Sequence, residues 1–533
     1  MGAAIAEPVV ENRYAKSRAF AAQVEGILDG GEMNRKRHSD VEDFLDAKGK
    51  EWARQMYEEH LALRAALERK TDVVGADGVA RESTRDSERH VVTVLGRVRV
   101  PRLSYQAPGS EDLHPMDGAL NLPREMYSHG VRRLVAKEVA RASFDEVVEM
   151  VHDYTGTSIG KRQVEELAIR AAQDFDAFYE QKAASRAPAD DLLILSTDGK
   201  GIAMRHEDLR EGTRLMAEKT PRKLETRLTP GEKRNRKRMA QVATVYSIAP
   251  FVRSASDIVH PLRDRALVEA RRPRPTDKRV WASVEKSCRT VIREAFAEAL
   301  RRDPTRERRW VVLVDGQPAQ LRAVKAEARR AGVKVTILVD LIHVLEYVWD
   351  AARGLFGESN PKAESWVGDR LLALLTGRSG GEVAQTIRWW AVRQKELTPQ
   401  ASKLIDDACD YLADRTRTRL MHYREALRDG LPIATGVIEG ACRYVVKDRM
   451  DRTGARWSLT GAEAVLRLRA IRASGDFDDY WTFHLDRDHE RNHASRYEDG
   501  VVPDPLPPLK PRLDVYKRQA RPTWTRRRLF VRP

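Results

Sequence analysis

Apolar residues recur at helical spacing along most of this chain, and a few short β-branched runs interrupt them. Between Val41 and Lys70, Phe44, Leu45, Met56, Leu61, Leu63 and Ala66 stand among charged residues, which predicts a helix. Val92, Val94, Val98 and Val100 then alternate around Leu95-Gly96-Arg97, which predicts a β-hairpin with glycine in the turn and Pro101 closing the run. Ser143-Phe-Asp-Glu146 fits a capping box, in which the serine oxygen takes a backbone amide proton and the glutamate reaches back, so a helix starts near Phe144. It ends around Tyr154-Thr-Gly156, and a second helix follows with Val164, Leu167, Ala168, Ala171 and Phe175 on one face. Helix, short glycine turn and helix describe either a DNA-reading helix-turn-helix or an ordinary helical hairpin.

Leu192 to Thr197 and Met239 to Ile248 are strand-length runs, as are Arg309 to Val314 and Val333 to Val339. The last two flank a helical stretch from Leu321 to Arg330, and a strand, helix, strand unit of that length implies parallel pairing. Beyond His343 the pattern is helical to Gly357, then from Trp366 to Leu375, Val383 to Val392 and Leu404 to Leu412. Gly436 to Met450 and Ala462 to Arg472 predict two more helices, the second opened by the capping box Thr460-Gly-Ala-Glu463. The whole reads as an α/β multidomain chain.

Composition narrows the partners. A length of 533 residues allows two to four domains, and 41% hydrophobic with 33% charged residues is a composition that folds. No run approaches the ~20 apolar residues of a membrane helix, and the N-terminus carries no leader pattern, so a soluble, cytoplasmic protein is expected. Three distant cysteines exclude a disulfide framework and a Cys-x-x-Cys zinc site. The net charge of +15 points to a polyanion, either nucleic acid or an anionic membrane surface. Lys233, Arg234, Arg236, Lys237 and Arg238 form the densest basic run, suited to phosphates or to a solvated loop. Lys161, Arg162 and Gln163 fill the first turn of the second hairpin helix, where a recognition helix meets base edges. From Val501 the chain is rich in proline and arginine with nothing to bury, and residues 486–533 are expected to be a basic, disordered tail.

Candidate chemistry lies where apolar runs stop. Asp198, Asp315 and Asp340 each follow a strand immediately, and in open α/β sheets reactive groups sit beyond the carboxyl ends of strands. Neither Gly-x-Gly-x-x-Gly nor a Gly-Lys-Ser/Thr loop occurs, which removes dinucleotide binding and triphosphate hydrolysis. Carboxylates alone suit hard divalent cations such as Mg²⁺, and two such ions serve phosphoryl chemistry. Glu439 offers a further carboxylate, with Arg443 and Lys447 at i+4 and i+8 on one helix face; the plainer reading is an exposed ion pair. His343 is expected to be a core or hydrogen-bonding histidine. His484, Asp486, Asp488, His489 and His493 contain an i,i+4 histidine pair but no third zinc ligand, and read as a charged surface helix.

Several of these motifs, in this order, resemble the ISKra-family transposases of bacterial insertion sequences over roughly residues 90–500. They are Ser143-Phe-Asp-Glu146, Ser196-Thr-Asp-Gly-Lys-Gly201, Val314-Asp-Gly-Gln317, Asp340-Leu-Ile-His-Val-Leu-Glu-Tyr347, Gly436-Val-Ile-Glu-Gly440, Lys447-Asp-Arg-Met450, Thr453-Gly-Ala-Arg-Trp457 and Gly475-Asp-Phe-Asp-Asp-Tyr-Trp481. The resemblance implies a ribonuclease-H-like mixed sheet with flanking helices, in which Asp198, Asp315 and Glu439 hold two Mg²⁺ or Mn²⁺ ions. Asp340 competes with Asp315, and Asp340 with His343 matches a secondary motif of related groups. Residues 1–185 would be a DNA-binding region with the helix-turn-helix near 143–175. Residues 186–345 and 431–485 would form the catalytic domain, and 346–430 a helical insertion. The implied partners are the terminal inverted repeats of the element, target DNA and further copies of the chain, acting at the bacterial nucleoid. Arg443, Lys447 and Arg449 would join the other basic residues on phosphates. A non-catalytic DNA-binding regulator and a nuclease that never joins ends are the alternatives.

Overall fold

In the computed structural model of the chain, the described residues are 13–184, 187–219, 236–263, 272–394, 396–434, 436–452 and 454–507. They divide into two compact units: residues up to Val131 with Thr155–Thr157 and those from Leu485 on, and Arg132–Tyr154 with Ser158–His484. No helix among the described residues is long and apolar enough to cross a membrane.

The smaller unit is α+β. The expected N-terminal helix spans His38–Leu67, and the hairpin pairs β1 (Ser83–Thr93) with β2 (Gly96–Gln106). Gly96 closes the turn with φ 108°, a conformation side-chain-bearing residues avoid. Leu61 of the long helix packs against Val91, Val98 and Val100, so the apolar alternation of the strands meets the apolar stripe of the helix. Pro101 does not close β2: it pairs with Glu88 in mid-strand, which a two-stranded sheet tolerates because each strand has a free edge. The expected tail is also corrected. The Phe477–Asn492 helix runs into it, and Tyr497 is buried with Val73, Tyr105 and Leu113. Order at 486–507 thus comes from the helix and from buried contacts such as Tyr497 and His493 that compositional reasoning passes over; residues 508–533 lie outside the described residues.

The larger unit is built on a five-stranded sheet of β3 (Leu192–Ala203), β4 (Lys237–Ile248), β5 (Thr276–Ser283), β6 (Trp310–Val314) and β7 (Val335–Val339), in the order β5-β4-β3-β6-β7. β4 runs antiparallel to β3 and β5, whereas β6 and β7 run parallel to β3. The central strands are buried on both faces, which is why Leu192 to Thr197 and Trp310 to Val314 read as unbroken apolar runs. Helix Pro318–Ala331 crosses from β6 to β7 as expected, packing on helix Cys288–Arg302, which in turn covers β3 and β4. β5 is the strand the sequence pattern conceals, because its outer half, Thr276-Asp-Lys-Arg279, is polar and only Val280–Ser283 is buried. Helices Leu341–Phe356, Pro361–Leu375, Gly380–Val392 and Pro399–Arg417 pack on one another after β7.

The two hairpin helices, Phe144–Thr155 and Lys161–Ala171, belong to this larger unit, so the division falls near residue 131 and not at 185. Ser143 and Glu146 make the expected capping box, with bonds of 2.6 and 3.2 Å. Thr460 and Glu463 do not. Ser458 caps the Leu459–Ser474 helix, and the buried Glu463 carboxylate instead accepts the amides of Val284 and Glu285 beyond β5.

Candidate active site

Strand register brings the three aspartates together. β3 and β6 pair with Leu193 opposite Trp310 and Ser196 opposite Leu313, so two residues further on Asp198 stands level with Asp315. β6 and β7 pair with Val314 opposite Val339, and the Asp340 amide donates to the Val314 carbonyl at 2.9 Å, so Asp340 stands level with Asp315. Neighbouring strands lie about 4.8 Å apart, which puts three carboxylates in one row across three parallel strands. Asp198 differs from expectation in one respect. β3 does not end there but continues beside β4 to Ala203, and only its parallel pairing stops.

Each carboxylate is oriented by local structure. Asp198 Oδ1 accepts the Gly199 amide at 2.6 Å, and its Oδ2 accepts the Cys442 thiol at 3.2 Å. Asp315 Oδ1 accepts the Gln317 amide at 3.0 Å, and its carbonyl accepts the Tyr411 hydroxyl at 3.1 Å. Gly316 follows with φ 85°, and a Cβ there would collide with the guanidinium of Arg415, which lies over the Tyr411 ring. Glycine after Asp315 is therefore required twice over. Asp340 is buried and caps helix Leu341–Phe356 through the Ile342 amide at 2.9 Å.

Glu439 reaches the row from helix Gly436–Ala441, which packs with the following turn on β3 and β4. Burial pushes its carboxyl above the usual range, and Asp340, Glu346 and Asp198 push the same way while His343 opposes them. Burial also raises Asp315, with Asp198 adding to the rise and the Gln317 amide, His343 and Arg415 opposing it. The structure thus couples Asp315 to Asp198, and Glu439 to both Asp198 and Asp340. His343 faces this group half-buried, its Nδ1 3.4 Å from Glu346. Among the described residues no three His, Cys, Asp or Glu side chains stand as a ready-made metal cage.

The basic residues are distributed differently from expectation. Residues Cys442–Lys447 form a π-helical turn, so the i, i+4, i+8 face of Glu439, Arg443 and Lys447 is broken. Arg443 is exposed near Asp448 at 3.7 Å, Lys447 is exposed, and Arg449 is buried with its Nε donating to the Val139 carbonyl at 3.2 Å. Lys161 pairs with Asp145 at 2.6 Å and Arg162 with Glu166 at 3.1 Å, while Gln163 accepts the Gly160 amide at 3.0 Å. Lys233 and Arg234 lie outside the described residues. Arg236 is buried beside β4, Lys237 opens that strand against Gly201, and Arg238 donates to the carbonyls of Val284 and Asp208. Arg238 therefore ties loops together, because β4 starts two residues earlier than the apolar run suggests.

The histidine-rich stretch is no charged surface helix. His484 is fully buried between Asp174, at 2.7 Å, and Arg132, at 3.1 Å. In the smaller unit, Asp488 is buried and His493 donates to the Leu122 carbonyl at 2.8 Å, while His489 stacks obliquely on His493. Cys442, Tyr411, Arg415 and Lys200 are site residues that motif reading missed. Lys200 had a signal, since two residues beyond Asp198 on a strand it shares the same face. No protein-family model matches this chain, and no curated protein matches it.

Proposed function

We propose that this chain is an ISKra-like DNA transposase that binds element ends, cuts a phosphodiester with water and joins the freed 3′-hydroxyl to target DNA. The observation that carries the reading is the row of Asp198, Asp315 and Asp340 at one level of three parallel strands, faced by Glu439. The strand order, with only the second of the five strands antiparallel, supports its ribonuclease-H-like part.

The donor set fits hard divalent cations. It is all oxygen and partly buried, and burial, with the neighbouring carboxylates adding to it, raises two of its members. Asp198, Asp315 and Glu439 would hold the ions, with Asp340 the fourth carboxylate in reach. Two Mg²⁺ or Mn²⁺ ions bound there supply activation of the attacking oxygen and neutralisation of the leaving one. The chain itself fixes Asp198 through Cys442 and Gly199, fixes Asp315 through Gln317, and offers Lys200 on the same strand face to a phosphate oxygen. Oligomerisation follows from the need to bring two ends together, and the work would be done in the bacterial cytoplasm on nucleoid DNA.

The test uses the full chain, labelled DNA from the regions flanking its own gene, a target plasmid and Mg²⁺. Cut and joined products are expected with the natural chain. Asp198→Asn should bind the same DNA and yield neither product. Cutting without joining would point to a nuclease, and binding without cutting to a regulator.

A further inference from the structure

The larger unit contains a cavity of about 860 Å³ between the start of helix Lys161–Ala171, the end of β3 and residues 449–452 and 454–458. Its wall carries six cations, Lys161, Arg162, Arg205, Arg449, Arg452 and Arg456, against the two acids Asp145 and Glu165. Both acids are occupied, Asp145 by Lys161 at 2.6 Å and Glu165 by the Ser458 hydroxyl at 2.6 Å. Arg205 and Arg456 are exposed and make no ion pair among the described residues. Arg449 is only 2% exposed, and its Nη2 has no hydrogen-bond partner among the described residues. Such a buried, unmatched guanidinium N–H costs free energy unless something accepts it.

One wall of the cavity is tied to the sheet. The Arg205 amide donates to the Trp457 carbonyl at 2.8 Å and the Trp457 amide to the Ala203 carbonyl at 3.1 Å, which clamps the wall bearing Arg456 to the end of β3. Trp457 itself is buried, its Nε1 donating to the Met450 carbonyl at 2.9 Å, with Arg449 on its ring and Phe144 edge-on. The Trp457 ring is thus closed to an unpaired base, and stacking is what single-strand sites rely on. Six cations gathered on one wall suit duplex phosphates.

We propose that this cavity seats the phosphate backbone of duplex DNA without regard to sequence, an inference that rests on the nucleic-acid part of the function proposed above. Arg205 follows Asp198 by seven residues of nearly extended chain, so at ~3.3 Å per residue the cavity lies within about 23 Å of the carboxylate row. That corresponds to roughly seven base pairs at ~3.4 Å each. Lys161 and Arg162 then serve as backbone contacts and not as readers of base edges.

The experiment compares the natural chain with the Arg205→Gln, Arg456→Gln double variant, whose two exposed side chains leave the core intact, as an unchanged thermal midpoint would verify. Anisotropy of a random-sequence labelled duplex of about 30 base pairs is followed against salt without divalent ions. The affinity is expected to fall about tenfold and the salt slope to shrink by about two, equally for unrelated sequences. Unchanged affinity and slope, or a loss confined to one sequence, would overturn the inference while leaving the transposase reading in place. A loss on single-stranded oligonucleotides with duplex binding retained would overturn it too. Failure of the natural chain to bind any duplex at low salt would remove both.

Discussion

Two acidic sites of the larger unit behave in opposite ways. Glu298, 4% exposed on helix Cys288–Arg302, meets Arg279 at 2.5 Å, Arg302 at 2.7 Å and the guanidinium of Arg301. Burial alone would raise its carboxyl, but the three guanidiniums outweigh it and hold the carboxyl down at about 2. Asp315 and Glu439 also lose solvent, yet the charges nearest them include other carboxylates, and both are pushed up. The desolvation has the same sign in the two places; what differs is whether the chain supplies enough positive charge. Glu298 is a strut whose countercharge is built in. The raised Asp315 and Glu439 carboxyls would be relieved by a proton or an external cation, which is what the proposed function asks of them.

The sharpest way to break the contrast is Glu298→Gln. Removing one member of a buried charge cluster leaves its partners uncompensated, and a loss of about 3–5 kcal/mol is expected, read as a fall in thermal midpoint at neutral pH. The sign follows from the depressed carboxyl. Its contribution is complete above the ordinary glutamate range and is lost as pH falls toward about 2, so the gap between variant and natural chain should close in acid. A pH-independent gap would mean that packing, and not charge, makes Glu298 important.

Asp315→Asn should act in the other direction and more weakly. The substitution keeps the oxygen that accepts the Gln317 amide but removes the charge. Because the folded-state carboxyl is raised, the ionised form destabilises the fold, and stability falls as pH rises from the ordinary aspartate value through the raised one. With a chelator present, the variant should melt a few degrees higher than the natural chain at pH 8 and lose that advantage in acid. Mg²⁺ or Mn²⁺ should raise the midpoint of the natural chain and do less for the variant. A variant that melts lower at pH 8 would show that Asp315 is satisfied within the chain, and the contrast with Glu298 would fail.

The components of this site were legible in the sequence, and their assembly was not. Asp198, Asp315 and Asp340 announce themselves because each follows an apolar run, but whether they meet depends on register, which a β-strand pattern does not encode across chain separations this long. β5 was hidden because only half of it is buried, and without β5 the mixed order of the sheet cannot be written down. Glu439 stands out in the sequence, but the helical wheel drawn through Arg443 and Lys447 presumed uniform 3.6-residue turns, and the π-helical turn at Cys442–Lys447 undoes it. The same turn carries Cys442, the residue that motif logic had no reason to notice.

That cysteine provides the finest test. Three guanidiniums hold Glu298, whereas a backbone amide and the neutral Cys442 thiol hold Asp198, so the thiol orients the carboxylate without cancelling its charge. Burial and the Asp198 charge both push the thiol up, which keeps it protonated and donating. Cys442→Ala removes the donor, and at about 1 kcal/mol for such a bond a roughly fivefold slower DNA cleavage is expected. Cys442→Ser keeps a donor on a slightly shorter side chain and should recover most of the rate, with the divalent-ion concentration for half-maximal cleavage returning toward that of the natural chain. A thiol that merely fills space would give alanine and serine variants of equal rate. A thiol that positions Asp198 separates them, because only the serine can still turn a proton toward the Oδ2 atom.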